Sequence, residues 1–595
     1  MRKRFMQLAA AVLAVCLTIP SAGAITTNRN GQVMIRVGLA SSNAHVPTGE
    51  LEAAHLENND GYGAGYRFGY YDDSRNFVEL ARTDSSSTQV AVLKTENLYY
   101  GYSSALGKNT YSASISSNIL VGCYHVQIPG SFSSYDGAKA EAAKYNNGFV
   151  AWINGAYQVR AGAYGSRADA EAAQRELGQG TIVGTSAYGM SVVATGTNRV
   201  LFQYDGGESG RLAIQPDVTG ARETQTWFSG YKYRGGFQYH RRTGGNLTVV
   251  NMVELEDYVN GVICYEMGRE WPLEALKTQA VCARTYVLKN LNKHNSYGFD
   301  ICTTSSCQVY HGMGSQRADY GPSQVSMQAV DQTAGLVATY QGRMAEMFYS
   351  SSFGGASENA SNIWGTDTAS EHPYLRGVED PYEADLNAFN DFSPWTVSYT
   401  SAQLSQRLQS YGLGTGNAID RLELTYSELG NVIKVVVRWA NGQTNTISAS
   451  NIRSRLGLNS IRFTVNGAGT SGTSVPAAPS SDVYINGGAG SLDGKYTISG
   501  TGAVSQVGEE SYAISGTGAV SVIGASGSGQ NSGGSAAQPD QGVVTVSGNS
   551  YTFNGGGWGH QVGMSQYGAN AMARRGFTFD KIVTFYFPGT QITHY

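Results

Sequence analysis

The sequence predicts an α+β protein of several domains. Three observations lead there: a length beyond one core, short alternating strand patterns through the first half, and two helical stretches between residues 253 and 291. At 595 residues the chain exceeds the ~250–300 at which a single hydrophobic core stops growing. Hydrophobic residues make up 41% and charged residues 14%, enough apolar material for most of the length to fold. A formal net charge of -4 argues against the basic face of a nucleic-acid binder, so no nucleic-acid partner is expected. Tyrosine is frequent at 38 residues. Such rings stack on the C–H faces of sugars, but they also favour half-buried strands, and composition alone prefers the second reading.

The chain begins with Arg2, Lys3 and Arg4, an apolar run from Leu8 to Pro20, and Ser21-Ala22-Gly23-Ala24. A basic start, a short apolar stretch and a small-residue end form a secretory signal over 1–24, with cleavage after Ala24; an uncleaved anchor is the alternative. The mature protein is expected to be secreted, outside the cytoplasmic membrane. Five cysteines then remain, Cys123, Cys264, Cys282, Cys302 and Cys307, too few for a disulfide framework in a chain this long. Cys264 and Cys282 fall in apolar helical patterns and read as buried thiols.

Residues 25–120 alternate in short stretches such as Met34 to Leu39, broken by Gly, Asn, Ser and Asp, and read as small antiparallel β structure. Two similar half-units follow within 122–182. Tyr124 to Ile128 is a strand followed by a helical stretch from Tyr135 to Tyr145; Tyr157 to Gly162 is a strand followed by a helix through Leu177. The order β-α-β-β-α-β suits a small ferredoxin-like unit. The halves "YHVQIPGSF" and "YQVRAGAYGSRADAEAA" resemble the SPOR domain, which implies binding to glycan strands stripped of their peptides. This module is expected to fold alone and to bind without cleaving, with Tyr124, Trp152 and Tyr157 offering stacking surfaces. Residues 184–464 form mixed structure. Residues 465–543 turn to Gly, Ser, Ala and Thr, a flexible linker holding a twofold repeat at Tyr496 and Tyr512. Ordered sequence returns over 544–595.

Chemistry concentrates between Val253 and Leu291. Asp257 suits the N-cap of a short helix ending near Met267, and Pro272 suits the first turn of a second. Leu273, Leu276, Ala280, Ala283 and Val287 form a core-facing stripe on that second helix. Lys277 and Arg284, two turns apart, point the same way beside the stripe and suit an anionic or polar group. Glu266 ends the first helix among Ile263, Cys264, Met267 and Trp271, a setting for a general acid; the plainer reading pairs it with Lys277 or Arg284.

The stretches "EDYVNGVICYEM" and "WPLEALKTQAVCARTYVL" resemble the core of the SpoIID/LytB family. In order follow "CQVYHG" from Cys307, "YSSSFGGASENASNIWG" from Tyr349, "PYLRGVEDP" from Pro373 and "GGGWGHQVGMSQYGANAMARRGFTFDKIVTFYFPGTQI" from Gly555. The resemblance implies a SpoIID-type catalytic core, with the SPOR unit inserted. It implies a lytic transglycosylase acting on MurNAc–GlcNAc strands of peptidoglycan without stem peptides. It makes Glu266 catalytic and puts Lys277 and Arg284 in the substrate cleft. One carboxyl suffices for that reaction, whereas glycoside hydrolysis uses two.

Trp558, His560 and Gln566 in the last motif read as substrate-binding residues, or as a Gly-rich turn that packs Trp558 into the core. The family usually has Gly after this histidine; Gln561 stands here. Some relatives bind zinc with two Cys and two His, one His just before the second Cys, where this chain has Ser306. His294, Cys302 and Cys307, with His311 nearby, suit a structural zinc site. A local disulfide or two free thiols are the alternatives. No cofactor is expected for the chemistry itself. Three functions compete: the enzyme, a non-catalytic enhancer partnered with a cell-wall amidase, and a purely adhesive wall protein.

Overall fold

The computed structural model describes residues 25–58, 64–184, 186–217, 224–315, 321–469 and 543–595, with four short strands inside 496–523. Residues 1–24, where a secretory signal is expected, and most of the 465–543 stretch lie outside the described residues. The fold is mixed α and β. Contacts divide the chain into two units, Met1–Met347 with Thr590–Tyr595, and Phe348–Gly589.

The first unit is built on two large sheets. A seven-stranded sheet runs in the order Ile301–Cys302, Met34–Ala40, Leu247–Glu254, Gly236–Arg241, Leu212–Pro216, Tyr66–Tyr71 and Phe77–Arg82. Met34–Ala40 lies inside it, antiparallel to Leu247–Glu254 and parallel to Ile301–Cys302. Every residue of that strand except Arg36 is buried, as expected when both faces of a sheet are covered. The strand Met34–Ala40 is therefore part of the sheet that positions the helices at 255–289.

The second sheet has ten strands and absorbs the two half-units. These are Tyr124–Phe132, helix α1 (Tyr135–Ala142), Gly148–Ile153, Ala156–Tyr164, helix α2 (Arg167–Leu177) and Thr181–Val183. Ser134 and Ser166 cap the two helices through their side chains, satisfying backbone donors that a helix start leaves open. Gly148–Ile153 pairs in parallel with Val200–Asp205, so the module has no free edge on that side. The sheet face that carries Phe149 is also covered: Phe149 packs with Leu93, Leu98, Tyr111 and Val121. Beside it lies a buried polar group. Gln203 Nε2 faces His125 Nε2 and Ser191 Oγ, each at 3.1 Å, and Arg160 donates to Gln158 and Gln203. Burial pushes His125 down to about 4, so the ring is neutral.

These contacts join residues 122–182 to the larger sheet, and excision would strip cover from Phe149, His125 and Arg160. Two of the rings assigned to sugar stacking are also engaged internally. Tyr157 donates its hydroxyl to Leu80 O at 2.7 Å and meets Trp152 edge-on at 4.6 Å.

In the second unit, Ile419–Tyr426 pairs with Val543–Ser547, and Trp395–Thr400 with Ser550–Gly555. The sequence on either side of the linker thus builds the same sheets. Among the described residues no helix is long and apolar enough to cross a membrane.

If the SPOR-like sheet is a structural extension of the larger one, Phe149→Ala should cost about 3–5 kcal/mol, the range for deleting a buried ring. Denaturant unfolding of the mature chain measures it; a loss under ~1 kcal/mol would mean the interface carries little.

Candidate active site and the thiol–imidazole cluster

Helix α3 (Leu255–Glu266) leaves the strand Leu247–Glu254 directly, with Leu255 N donating to Val33 O at 2.9 Å. Its N-cap is Glu254, whose carboxylate accepts from Glu256 N and Asp257 N at 2.8 and 3.3 Å. Asp257, the residue expected to cap, lies one turn in and accepts from Arg234 at 2.6 Å. Helix α4 (Leu273–Lys289) starts one residue after Pro272, which is its N-cap and not part of its first turn. From Ala275 to Leu288 every residue but Lys277 is buried, so α4 is apolar nearly all round and not along one stripe.

That burial decides the place of Arg284. It has no exposed surface and donates through Nε to Glu256 at 2.9 Å and through its guanidinium to Leu336 O at 3.0 Å. Glu256 also accepts from Gly335 N at 3.2 Å. Arg284 is thus a brace between α3, α4 and the strand at 336. This corrects its expected role toward substrate, and also the reading that pairs it with Glu266. Lys277 remains half-buried, with Nζ donating to Glu274 at 2.7 Å.

Glu266 is half-buried at the last position of α3, where its Oε1 accepts the backbone N–H of Val309 at 2.7 Å. Val309 sits in the segment Cys307–Gly312, which lies across α3. Tyr258 donates to Gln308 at 3.0 Å, Tyr310 donates to Asn251 at 2.7 Å, and Tyr310 stacks on Tyr258 with centroids 5.1 Å apart. Gly261 permits this approach: a Cβ there would stand 2.6 Å from the Tyr310 ring. His311 packs flat on Tyr231 at 4.6 Å and edge-on at 5.1 Å to Tyr265, the residue that precedes Glu266. His311 therefore belongs to this aromatic group and not to a metal set. Sequence reasoning missed both the Val309 donor and the rings; the "CQVYHG" motif was their signal.

His294, Cys302 and Cys307 do come together, with ligand atoms all within 4.8 Å of one another. His294 Nε2 is 3.3 Å from Cys307 Sγ, and its Nδ1 faces Asn43 Nδ2 at 3.3 Å. A hydrogen bond from Cys307 and the nearby Thr304 and His294 hold the Cys302 thiol down at about 4, while that same bond and burial raise Cys307. All five described cysteines are thiols, so the local disulfide is not formed here.

Trp558, His560 and Gln566 belong to the second unit. Trp558 is 44% exposed and its ring lies 5.2 Å from Phe392. His560 donates from Nε2 to Tyr349 O and accepts Val562 N–H at Nδ1, both at 3.1 Å; this occupies both nitrogens of a neutral ring, and burial lowers it to about 4. Gln566 is buried at the start of the helix Gln566–Arg574. The glycine run packs on its own chain: a Cβ at Gly557 would meet Ser352 O at 2.6 Å. Gln561 has φ +62°, a left-handed conformation that glycine adopts without strain. Its side chain compensates, donating to Phe353 O at 3.1 Å and accepting from Ile461 N at 3.2 Å.

Another feature of this unit was not anticipated. Glu383 is buried and accepts from Ser352, Phe353 N, Gly354 N and Ser565, while the neighbouring Asp380 accepts from Tyr586. Burial raises both carboxyls, and the Glu383 charge raises Asp380 further.

Glu254 gives a pH dependence. Burial raises its carboxyl from an ordinary 4.5 to about 7. The folded state then binds the proton more tightly than the unfolded state, so this contribution is full below about pH 4.5 and is lost as pH rises through about 7. Unfolding free energy measured from pH 4 to 8 should fall less steeply in Glu254→Gln than in the parent; identical slopes would contradict this.

Residues 243–340 match the SpoIID family model, described as Stage II sporulation protein, and residues 121–184 match the SPOR domain model. An uncharacterized protein of Brachyspira hyodysenteriae is 34% identical over 32% of this chain and 48% of its own length. The Amidase enhancer of Bacillus subtilis is 30% identical over 57% of this chain and 40% of its own length. Stage II sporulation protein D of Bacillus subtilis is 26% identical over 58% of this chain and 76% of its own. The chain thus spans under half the length of the first two of these relatives. Glu266, the loop that orients it and the thiol cluster all fall inside the stretch that matches the SpoIID model, and the two half-units inside the stretch that matches the SPOR model.

Proposed function

We propose that this chain is an extracytoplasmic, cell-wall-associated lytic transglycosylase that cuts MurNAc–GlcNAc strands freed of stem peptides, with Glu266 as its acid and then its base. One observation carries the reading: a carboxyl at the end of α3, within the matched stretch, with one oxygen fixed by Val309 N–H at 2.7 Å. In this reading the protonated Glu266 gives its proton to the glycosidic oxygen as the C–O bond breaks. The resulting carboxylate takes the proton of the muramic C6 hydroxyl, whose oxygen closes the 1,6-anhydro ring. No water is consumed and no second carboxylate is needed. Lys277 is the cation offered to the substrate. In the second unit the exposed indole of Trp558 offers a face for a sugar ring, with His560 and Gln566 holding its loop.

The SPOR domain delivers the chain to glycan, and a cell-wall amidase that strips the peptides is the expected partner. His294, Cys302 and Cys307 offer soft, buried thiolate and imidazole donors at compatible spacing, a set that suits zinc. Zinc there would tie the loop in place and supply no step of the reaction.

A second reading has support from the relative named Amidase enhancer: a wall-bound partner that activates another hydrolase. The mature protein incubated with stem-peptide-free glycan separates the two. Glu266→Gln keeps an acceptor for Val309 N–H but cannot transfer the proton, so cleavage should fall by the ~10²–10⁴-fold typical of a positioned acid or base. Full activity in the variant would remove Glu266 from the mechanism, and an inert parent protein would favour the enhancer.

A further inference from the structure

The three donors of the thiol cluster leave a structural zinc site one ligand short, since such sites are almost always four-coordinate and closed. We infer that the fourth ligand is His45, supplied by the loop between residues 41 and 48 and absent from the 243–340 stretch that holds the other three. The inference rests on the zinc reading above and adds to it a residue some 250 positions away in sequence.

The loop is already fastened to the cluster. Its Val46 is buried with Cys302, Phe299 and Met252, and Cys307 packs against the same group. Asn43 Nδ2 lies 3.3 Å from His294 Nδ1, and Asn43 Oδ1 accepts from His45 N at 2.8 Å. Thr304, between the two cysteines, donates to His45 O at 3.1 Å. The His45 ring stands 6.1 Å from the His294 ring, centroid to centroid. Two imidazoles on one tetrahedral zinc, each with Zn–N of 2.0–2.1 Å, lie roughly 5–5.5 Å apart. His45 is exposed and lies outside the set of donors within 4.8 Å of one another, so closing the site takes a movement of this side chain toward the cluster.

Ser306 supplies the orientation. Its Oγ is 2.9 Å from His45 Nδ1, and a hydroxyl accepting Nδ1–H leaves the Nε2 lone pair available. This is the outer-shell arrangement that fixes tautomer and direction in metal-bound histidines. The metal would then lock the 41–48 loop over the segment that carries Val309.

Cobalt(II) titration of the full mature protein tests this, followed by competition with zinc(II). The parent should bind one cobalt with thiolate charge-transfer bands and the strong visible absorption of a tetrahedral site. His45→Ala should lower affinity by more than the ~10–100-fold that an outer-shell partner is worth and alter the visible envelope. His45→Ala combined with Ser306→His, which places an imidazole beside Cys307, should recover both. A parent that binds no cobalt overturns the zinc reading and this one together. A His45→Ala variant with parental affinity and spectrum overturns only the assignment of His45.

Discussion

The hydrogen bond from Val309 N–H to Glu266 is the interaction on which the rest of the site depends. A carboxyl at a helix C-terminus has several rotamers and no intrinsic reason to choose one, and a backbone donor at 2.7 Å selects a direction. That donor is useful only if its loop is fixed. Tyr258, Asn251 and the bare face of Gly261 fix it from the helix and sheet side. The helix in turn is fixed from below, where the sheet strand Leu247–Glu254 runs straight into it and buried Arg284 ties Glu256 to α4. The buried ion pair therefore contributes to the site through position and not through contact with ligand.

Cys307 is two residues from Val309, so whatever holds the cysteine also holds the donor. A tether at Cys307 limits how far the loop can rise from α3, and the cluster joins the same sheet through Cys302, whose strand pairs with Met34–Ala40. Loop, helix and N-terminal strand are thereby parts of one support.

The candidate residues were more legible in the sequence than their packing. Glu266 stood out as a carboxylate closing an apolar helix and became a catalytic candidate through the SpoIID/LytB resemblance; Cys302 and Cys307 stood out by their spacing, and His294 through the same resemblance. Periodicity located α3 and α4 but misjudged their surroundings. A helix buried on all sides shows no single stripe, so Arg284 read as exposed beside an apolar face when it is enclosed. The cap shifted because the helix starts earlier, at Leu255, with Glu254 taking the N–H groups of Glu256 and Asp257, and a local pattern cannot show that Arg234 occupies Asp257. The parallel pairing of Gly148–Ile153 with Val200–Asp205 joins residues 52 positions apart and leaves no local mark, which is why the half-units read as a separate module. Gln561 showed as a departure from glycine, and the left-handed backbone gives the reason.

A single oriented carboxyl, with no second one read as catalytic beside it, makes a specific demand on the product. If Glu266 gives a proton to the leaving oxygen and takes one from the C6 hydroxyl, the cut strand must end in a ring closed on itself. Mass spectrometry of fragments released from stem-peptide-free glycan by the mature protein measures this directly. The account predicts muramic ends lighter by one water than the corresponding reducing ends. Fragments carrying ordinary reducing ends, with a water added at each cut, would contradict it.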